Sequence, residues 1–165
     1  MQILFLPASW TIAICFAGWF FFQLGAALIC LKISEHLLSS DRYLFRERRW
    51  EQGGRFYRRM FKVDRWKHLL PDGAAVTKSG YRKKRLTDFS SENLERFLTE
   101  SCRAELTHLL AILPFWLFGL IGPPRLIFYM LFYALAVNLP CVIVQRYNRP
   151  RIRALLEKME YRARS

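Results

Sequence analysis

A chain of 165 residues is by default one folding unit and is too short for a two-domain enzyme. It carries 26 Lys plus Arg against 13 Asp plus Glu, a formal charge of +13, yet 53% of its residues are hydrophobic. A mean hydropathy of +0.06 therefore averages two segregated populations, which excludes an ordinary soluble domain and argues against a purely basic nucleic-acid binder.

Ile3 to Leu31 is a run of 29 residues without a charge, in which Ser9, Thr11 and Gln23 are the clearly polar side chains. About 20 apolar residues cross a bilayer core, so a transmembrane helix is predicted over 3–31. A cleaved secretory signal would carry Lys or Arg ahead of a shorter apolar region, and Met1-Gln2 has neither. Ile29 before Cys30 also breaks a lipoprotein signal, which requires a small residue there.

The segment 32–104 holds few aliphatic side chains, among them Leu37, Leu38, Leu44, Val63, Leu69, Leu70 and Val76, too few for an independent core. Between Asp41 and Trp66, arginines alternate with Tyr43, Phe45, Trp50, Phe56, Tyr57, Phe61 and Trp66, and Gly53-Gly54 divides the run into two short helical pieces. Arg with Trp and Tyr is the composition of a surface in the lipid headgroup layer. Stacking of nucleic-acid bases on the same rings is the weaker reading beside a transmembrane helix, so membrane lipids and no nucleic acid are the expected partners. For Arg46, Arg48, Arg49 and Lys83 to Arg85, a solvated charge run that only enforces topology competes with it.

A helix is predicted from near Ser91, with Glu92 and Glu95 in its first turn. Its apolar positions Leu94, Leu98, Cys102, Leu106 and Leu109 recur at helical spacing and run into a second apolar block, Leu106 to Ile121. Gly122-Pro123-Pro124-Arg125 is a turn, and Leu126 to Val144 is long enough to cross. Residues 105–144 thus form a helical hairpin whose first arm is short, a length that a tilted pair and a shallow re-entrant pair both satisfy. The expected fold is an all-α integral membrane protein, one domain over 1–165, with about three transmembrane helices, short interfacial amphipathic helices and a basic tail at 145–165.

Residues 32–104 contain 18 Lys or Arg against 10 Asp or Glu, residues 145–165 contain 7 against 2, and the hairpin turn contains Arg125. The positive-inside rule then puts the N-terminus outside and the central segment and C-terminus in the cytoplasm of a multi-pass cell-membrane protein. Cys15, Cys30 and Cys141 lie in apolar spans and Cys102 near a boundary, which implies no disulfide framework. Without C-x-x-C spacing, and with three scattered histidines, no metal or cofactor is expected. His36, just after the first span, reads as interfacial packing, and no Gly-x-Ser-x-Gly supports a serine hydrolase.

Two constellations can carry chemistry. In Arg65-Trp66-Lys67-His68-Leu69-Leu70-Pro71-Asp72-Gly73, Pro71 interrupts any helix and Gly73 permits a turn, so His68 and Asp72 can meet across a loop. A carboxylate beside imidazole fixes its tautomer and stabilises imidazolium, as a hydroxyl-activating base needs. His-x-x-x-Asp is one residue shorter than the motif of glycerolipid acyltransferases, whose fold is not carried over. The second pair, Glu105 and His108, shares a helix face near the headgroups, where ionisable groups are costly and often functional. His108 as a helix-end histidine bonded to a neighbour is the equal alternative. His68, in a polar loop beside Asp72, meets the requirements of a base more simply than His108 at the start of a buried span.

The strings Arg-Trp-Lys-His-x-x-x-Asp-Gly at 65–73, Arg-Ala-Glu-Leu-x-His at 103–108 and Val-Gln-Arg-Tyr-Asn-Arg-Pro-Arg at 144–151, with Asn138-x-Pro140, resemble those of the CrtO-type glycosyl-diaponeurosporenoate acyltransferases. The resemblance covers nearly the whole chain, and its last string is the most specific. It implies the last step of staphyloxanthin-type carotenoid biosynthesis, in which a fatty acyl group is transferred to a sugar hydroxyl of a glycosylated C30 carotenoid acid. The donor would be a CoA, carrier-protein or lipid ester. His68, Asp72, His108 and Glu105 are then the catalytic candidates. Arg65, Trp66, Lys67, Arg103, Asn138, Gln145, Arg146, Tyr147, Asn148 and Arg149 are the substrate-binding candidates, with Arg65, Lys67, Arg146 and Arg149 facing donor phosphates or the developing oxyanion. Asn138 has a second reading, a hydrogen bond to the chain freed by Pro140. The rival to an enzyme is a non-catalytic membrane subunit that presents a lipid-linked substrate.

Overall fold

The computed structural model describes residues 2–4, 6–70 and 90–164, and among them the regular structure is helical, without a strand. Five α-helices follow in order: α1 (Ala8–Leu31), α2 (Arg55–Phe61), α3 (Val63–Trp66), α4 (Ser91–Ile112) and α5 (Arg125–Arg164). Among the described residues, 3₁₀ segments lie at Glu35–Leu38, Arg49–Glu51, Lys67–Leu69 and Leu113–Leu120. Three stretches, Ala8–Leu31, Ser91–Leu120 and Arg125–Arg164, are long and apolar enough to cross a membrane, and the chain is a membrane protein. The Pro71-Asp72-Gly73 loop and Lys83 to Arg85 lie outside the described residues.

The chain divides into two compact units. The first comprises Met1–Ile33 and Glu105–Val142. Its helix α1 is apolar all round and exposes Trp10, Phe16, Phe20 and Phe21, as a helix bathed in lipid does. On its inner side Cys15 and Trp19 pack with Phe118 and Ala134, joined by Phe22, Ile112 and Met130. The Trp19 ring lies 5.3 Å from Phe118 and 5.4 Å from Tyr133, and its N–H points at Met130 Sδ at 3.3 Å. Gly18 makes this packing close: a Cβ there would stand 3.0 Å from the Phe118 ring.

Pro114 has no N–H for the Leu110 carbonyl, and the chain tightens into a 3₁₀ helix over Leu113–Leu120. The change lengthens the first arm of the hairpin. A 3₁₀ helix rises about 2.0 Å per residue against 1.5 Å, so Leu106 to Leu120 extends roughly 27 Å, close to a hydrocarbon core of about 30 Å. The N–H groups of Ile3 and Leu4 close the end of this segment by donating to the Leu120 carbonyl at 2.8 and 3.1 Å. After the Gly122-Pro123-Pro124 turn, α5 starts with bonds from Leu126 and Ile127 to the two proline carbonyls.

The second unit comprises Ser34–Ala104 and Ile143–Ser165. Two clusters hold it together: Tyr57, Val63, Ile143 and Tyr147 with Phe56 and Trp66, and Leu94, Leu98 and Leu156 with Ile152, Leu155 and Met159. Both need α5 beyond its apolar stretch. The expected tail is therefore helix as far as Arg164, supported by Leu156 in the core and by an Arg153–Glu157 pair at 3.3 Å one turn apart. Between the Arg49–Glu51 turn and α2, Gln52, Gly53 and Gly54 all adopt left-handed φ values of 51°, 66° and 83°. Gly54 has no substitute there, because a Cβ would meet the Tyr147 carbonyl oxygen at 2.7 Å.

Candidate functional site

The first unit buries a chain of polar side chains drawn from three helices. Asn138 of α5, 1% exposed, donates its amide N–H to the Ala134 carbonyl at 3.0 Å. Its Oδ1 lies 2.9 Å from Gln23 Nε2 of α1 and 2.9 Å from His108 Nδ1 of α4. A backbone carbonyl only accepts, so the amide nitrogen must face Ala134 and the amide oxygen must face the other two groups. An acceptor beside Nδ1 requires a proton on that nitrogen. The network thus places a proton on His108 Nδ1.

The depth of this cluster follows from helix rise. Gln23 stands nine residues before Lys32, about 14 Å along α1, and Asn138 stands thirteen residues after Arg125, about 20 Å along α5. Amide and imidazole groups this far inside apolar helices are costly unless paired, and here each is paired. Glu105 is fully buried one turn before His108 on the same helix. Pro140 withholds an N–H from the Ala136 carbonyl, yet Asn138 bonds the Ala134 carbonyl instead, and its oxygen serves the imidazole.

The second unit contains a different kind of polar centre. Glu51, 1% exposed, accepts from Tyr57 O–H at 2.6 Å, from Arg146 Nη1 at 2.9 Å and from the Arg48 backbone N–H at 2.9 Å. Arg146 also donates to the Leu44 carbonyl at 2.5 Å. Arg149, 4% exposed, donates to the Phe45 carbonyl at 2.9 Å and the Ser101 carbonyl at 3.2 Å, and packs over the Phe45 ring. These side chains line a cleft of about 400 Å³ with Arg46, Glu47 and Arg153. A hydrogen bond from Arg153 to Asp41 raises the Arg153 pKa above its ordinary value.

The remaining sequence candidates fall as follows. His68 is exposed on the Lys67–Leu69 turn and, among the described residues, none hydrogen-bonds it; its expected partner Asp72 lies outside them. Trp66 donates its N–H to the Phe61 carbonyl at 2.7 Å, Lys67 stands over the Tyr147 ring at 5.0 Å, and Arg65 is exposed. Tyr147 is buried, with its hydroxyl against Asp64 and Arg151. Arg103 pairs with Glu100 at 3.1 Å, and Asn148 is half-buried. The buried Oε1 of Gln145 has no hydrogen bond among the described residues. Sequence reasoning missed Gln23, whose signal was a lone carboxamide in a charge-free span, and Glu51, hidden among arginines.

Comparison with known proteins places these residues in a family. The family model described as CrtO, glycosyl-4,4'-diaponeurosporenoate acyltransferase, matches residues 41–158. Proteins of that name from Staphylococcus aureus are similar along most of their length. The chain is 35% identical to the one from strain bovine RF122 / ET3-1 over 149 residues, covering 90% of this chain and 89% of the relative. It is 34% identical to the one from strain USA300 over the same shares, and 35% identical to the one from strain Newman over 86% of each chain. No solved structure matches. The chain therefore belongs to the CrtO family of acyltransferases and is an enzyme of acyl transfer.

Proposed function

We propose that the protein esterifies a sugar hydroxyl of a glycosylated C30 carotenoid acid with a fatty acyl group, the last step of staphyloxanthin-type carotenoid biosynthesis. Its relatives carry that acceptor in their names. A carotenoid tail must stay in apolar surroundings, and α1 and the first part of α5 offer them through exposed Phe16, Phe20, Phe128 and Phe132.

The observation that carries the reading is the 2.9 Å approach of His108 Nδ1 to the buried Asn138 Oδ1. With Nδ1–H held on Asn138, Nε2 is the basic nitrogen. It removes the proton of the sugar hydroxyl as that oxygen bonds to the acyl carbonyl carbon. The tetrahedral intermediate collapses, the bond from carbonyl carbon to the donor's sulfur or oxygen breaks, and the leaving group takes the proton from His108. Asn138 Oδ1 stabilises the transient imidazolium through the same hydrogen bond. Glu105 supports the imidazolium from the preceding turn. Within the second unit, Arg146 and Arg149 brace the fold through bonds to Glu51 and to backbone carbonyls.

The N-terminus is outside, and the central segment and C-terminus are cytoplasmic, which brings an intracellular donor to the basic side of the membrane. The purified protein in vesicles, supplied with glycosylated acceptor and an acyl thioester, should form the ester seen by mass spectrometry. Absence of turnover with every donor class would favour the presenting-subunit alternative.

A further inference from the structure

Helix α1 would serve a membrane anchor with no amide at all, yet Gln23 reaches from it to the oxygen that orients His108. We propose that Gln23 is a positioning residue for acyl transfer: its Nε2–H holds Asn138 Oδ1 against His108 Nδ1–H and so keeps the imidazole lone pair on Nε2. The proposal rests on the reading of His108 as base.

An amide oxygen has two lone pairs, and here both are used, one by Gln23 and one by His108. The amide nitrogen is spent on the Ala134 carbonyl, so a rotation of the Asn138 side chain would break three bonds at once. Asn138 is 1% exposed, and water cannot readily replace any of them. Without the Gln23 donor, the amide still faces Ala134 but its oxygen keeps a single partner, its contact with Nδ1 weakens, and the Nε2–H tautomer of His108 becomes populated. That tautomer presents a donor where the reaction needs an acceptor. Gln23 acts through Asn138 and the ring, touching neither substrate nor reacting atoms.

The test uses protein labelled with ¹⁵N-histidine in nanodiscs, with the His108 signals assigned by their loss in His108→Gln. The wild type should show a protonated Nδ1 and an unprotonated Nε2. Gln23→Met keeps the side-chain length, removes the donor, and should give a mixture of tautomers, with kcat lowered about tenfold, the factor carried by one well-made hydrogen bond, and KM for the acceptor held within about twofold. Asn138→Leu should give the same mixture. A wild-type His108 spectrum in well-folded Gln23→Met would overturn the proposal whatever the activity, because glue between helices leaves the tautomer alone. Full turnover in His108→Gln would instead overturn the base reading, and with it the catalytic consequence assigned to Gln23, without touching the spectroscopic result.

Discussion

Replacing Glu51 by Ala tests what holds the second unit together. The carboxylate is 1% exposed and receives three donors, the Tyr57 hydroxyl, the Arg146 guanidinium and the Arg48 N–H. Removing one partner of a buried ion pair costs about 3–5 kcal/mol, chiefly because the other charge stays buried. The Arg146 side chain keeps 17% exposure and its bond to the Leu44 carbonyl, so the lower end applies, about 3 kcal/mol. For a chain of this size that corresponds to a melting point roughly 6–12 °C lower. Glu51→Gln retains an acceptor but turns an amide N–H toward a donor, and should lose about 1–2 kcal/mol. Cys30 and Cys102 are 1% and 0% exposed, so a thiol-reactive dye reports melting in detergent directly. The double variant Glu51→Leu with Arg146→Leu should melt above either single Leu variant, since it removes the stranded partner. A Glu51→Ala melting point within about 2 °C of wild type would sink the assignment, because so small a shift is what loss of an exposed pair produces.

His108→Gln should insert normally and lose at least about 100-fold in turnover, the lower range for a general base, while His68→Gln keeps wild-type turnover; the opposite result would return the base to His68 with Asp72. Gly54→Ala places a side chain at φ 83° and a Cβ 2.7 Å from the Tyr147 carbonyl, and should cost about 2 kcal/mol or more in the same thiol assay. Arg153, its pKa raised by Asp41, contributes stability that is present below its unfolded pKa and lost only in strong alkali, so Arg153→Gln should leave the pH profile of melting unchanged between pH 6 and 9 and cost under about 1 kcal/mol. A reporter fused after Arg164 should be cytoplasmic and one inserted near Pro123 external, and an external C-terminus would overturn the proposed orientation.

The three long helices were legible because hydrophobic runs of about 20 residues admit few other structures in a bilayer. The start near Ser91 and the break at Gly53-Gly54 were also legible, from cap and turn chemistry. The helical course of α5 through Pro150 to Arg164 was not, since charge alone marks a tail and only packing of Leu156 against Leu94 and Leu98 reveals an inner face. Nor could spacing pair Gln23 or His108 with Asn138, 115 and 30 residues away, because hydrogen bonds between helices leave no periodic trace. That Glu105 and His108 share a helix face follows from their spacing alone, whereas the amide partner of His108 needs the third dimension.

The two polar centres differ in how their hydrogen-bonding capacity is used, and the difference separates stability from chemistry. Around Glu51 every described contact joins the protein to itself: the carboxylate takes three internal donors, and Arg146 and Arg149 spend guanidinium N–H groups on backbone carbonyls. Such a centre fixes geometry and has little to offer a reacting molecule. Around Asn138 the described bonds link three helices through one amide and place a proton on Nδ1 of His108. An imidazole whose Nδ1 proton is held by an amide, itself held by a backbone carbonyl and a second amide, has a fixed orientation before any substrate arrives, and that preorganisation is what the proposed role of His108 as base would draw on.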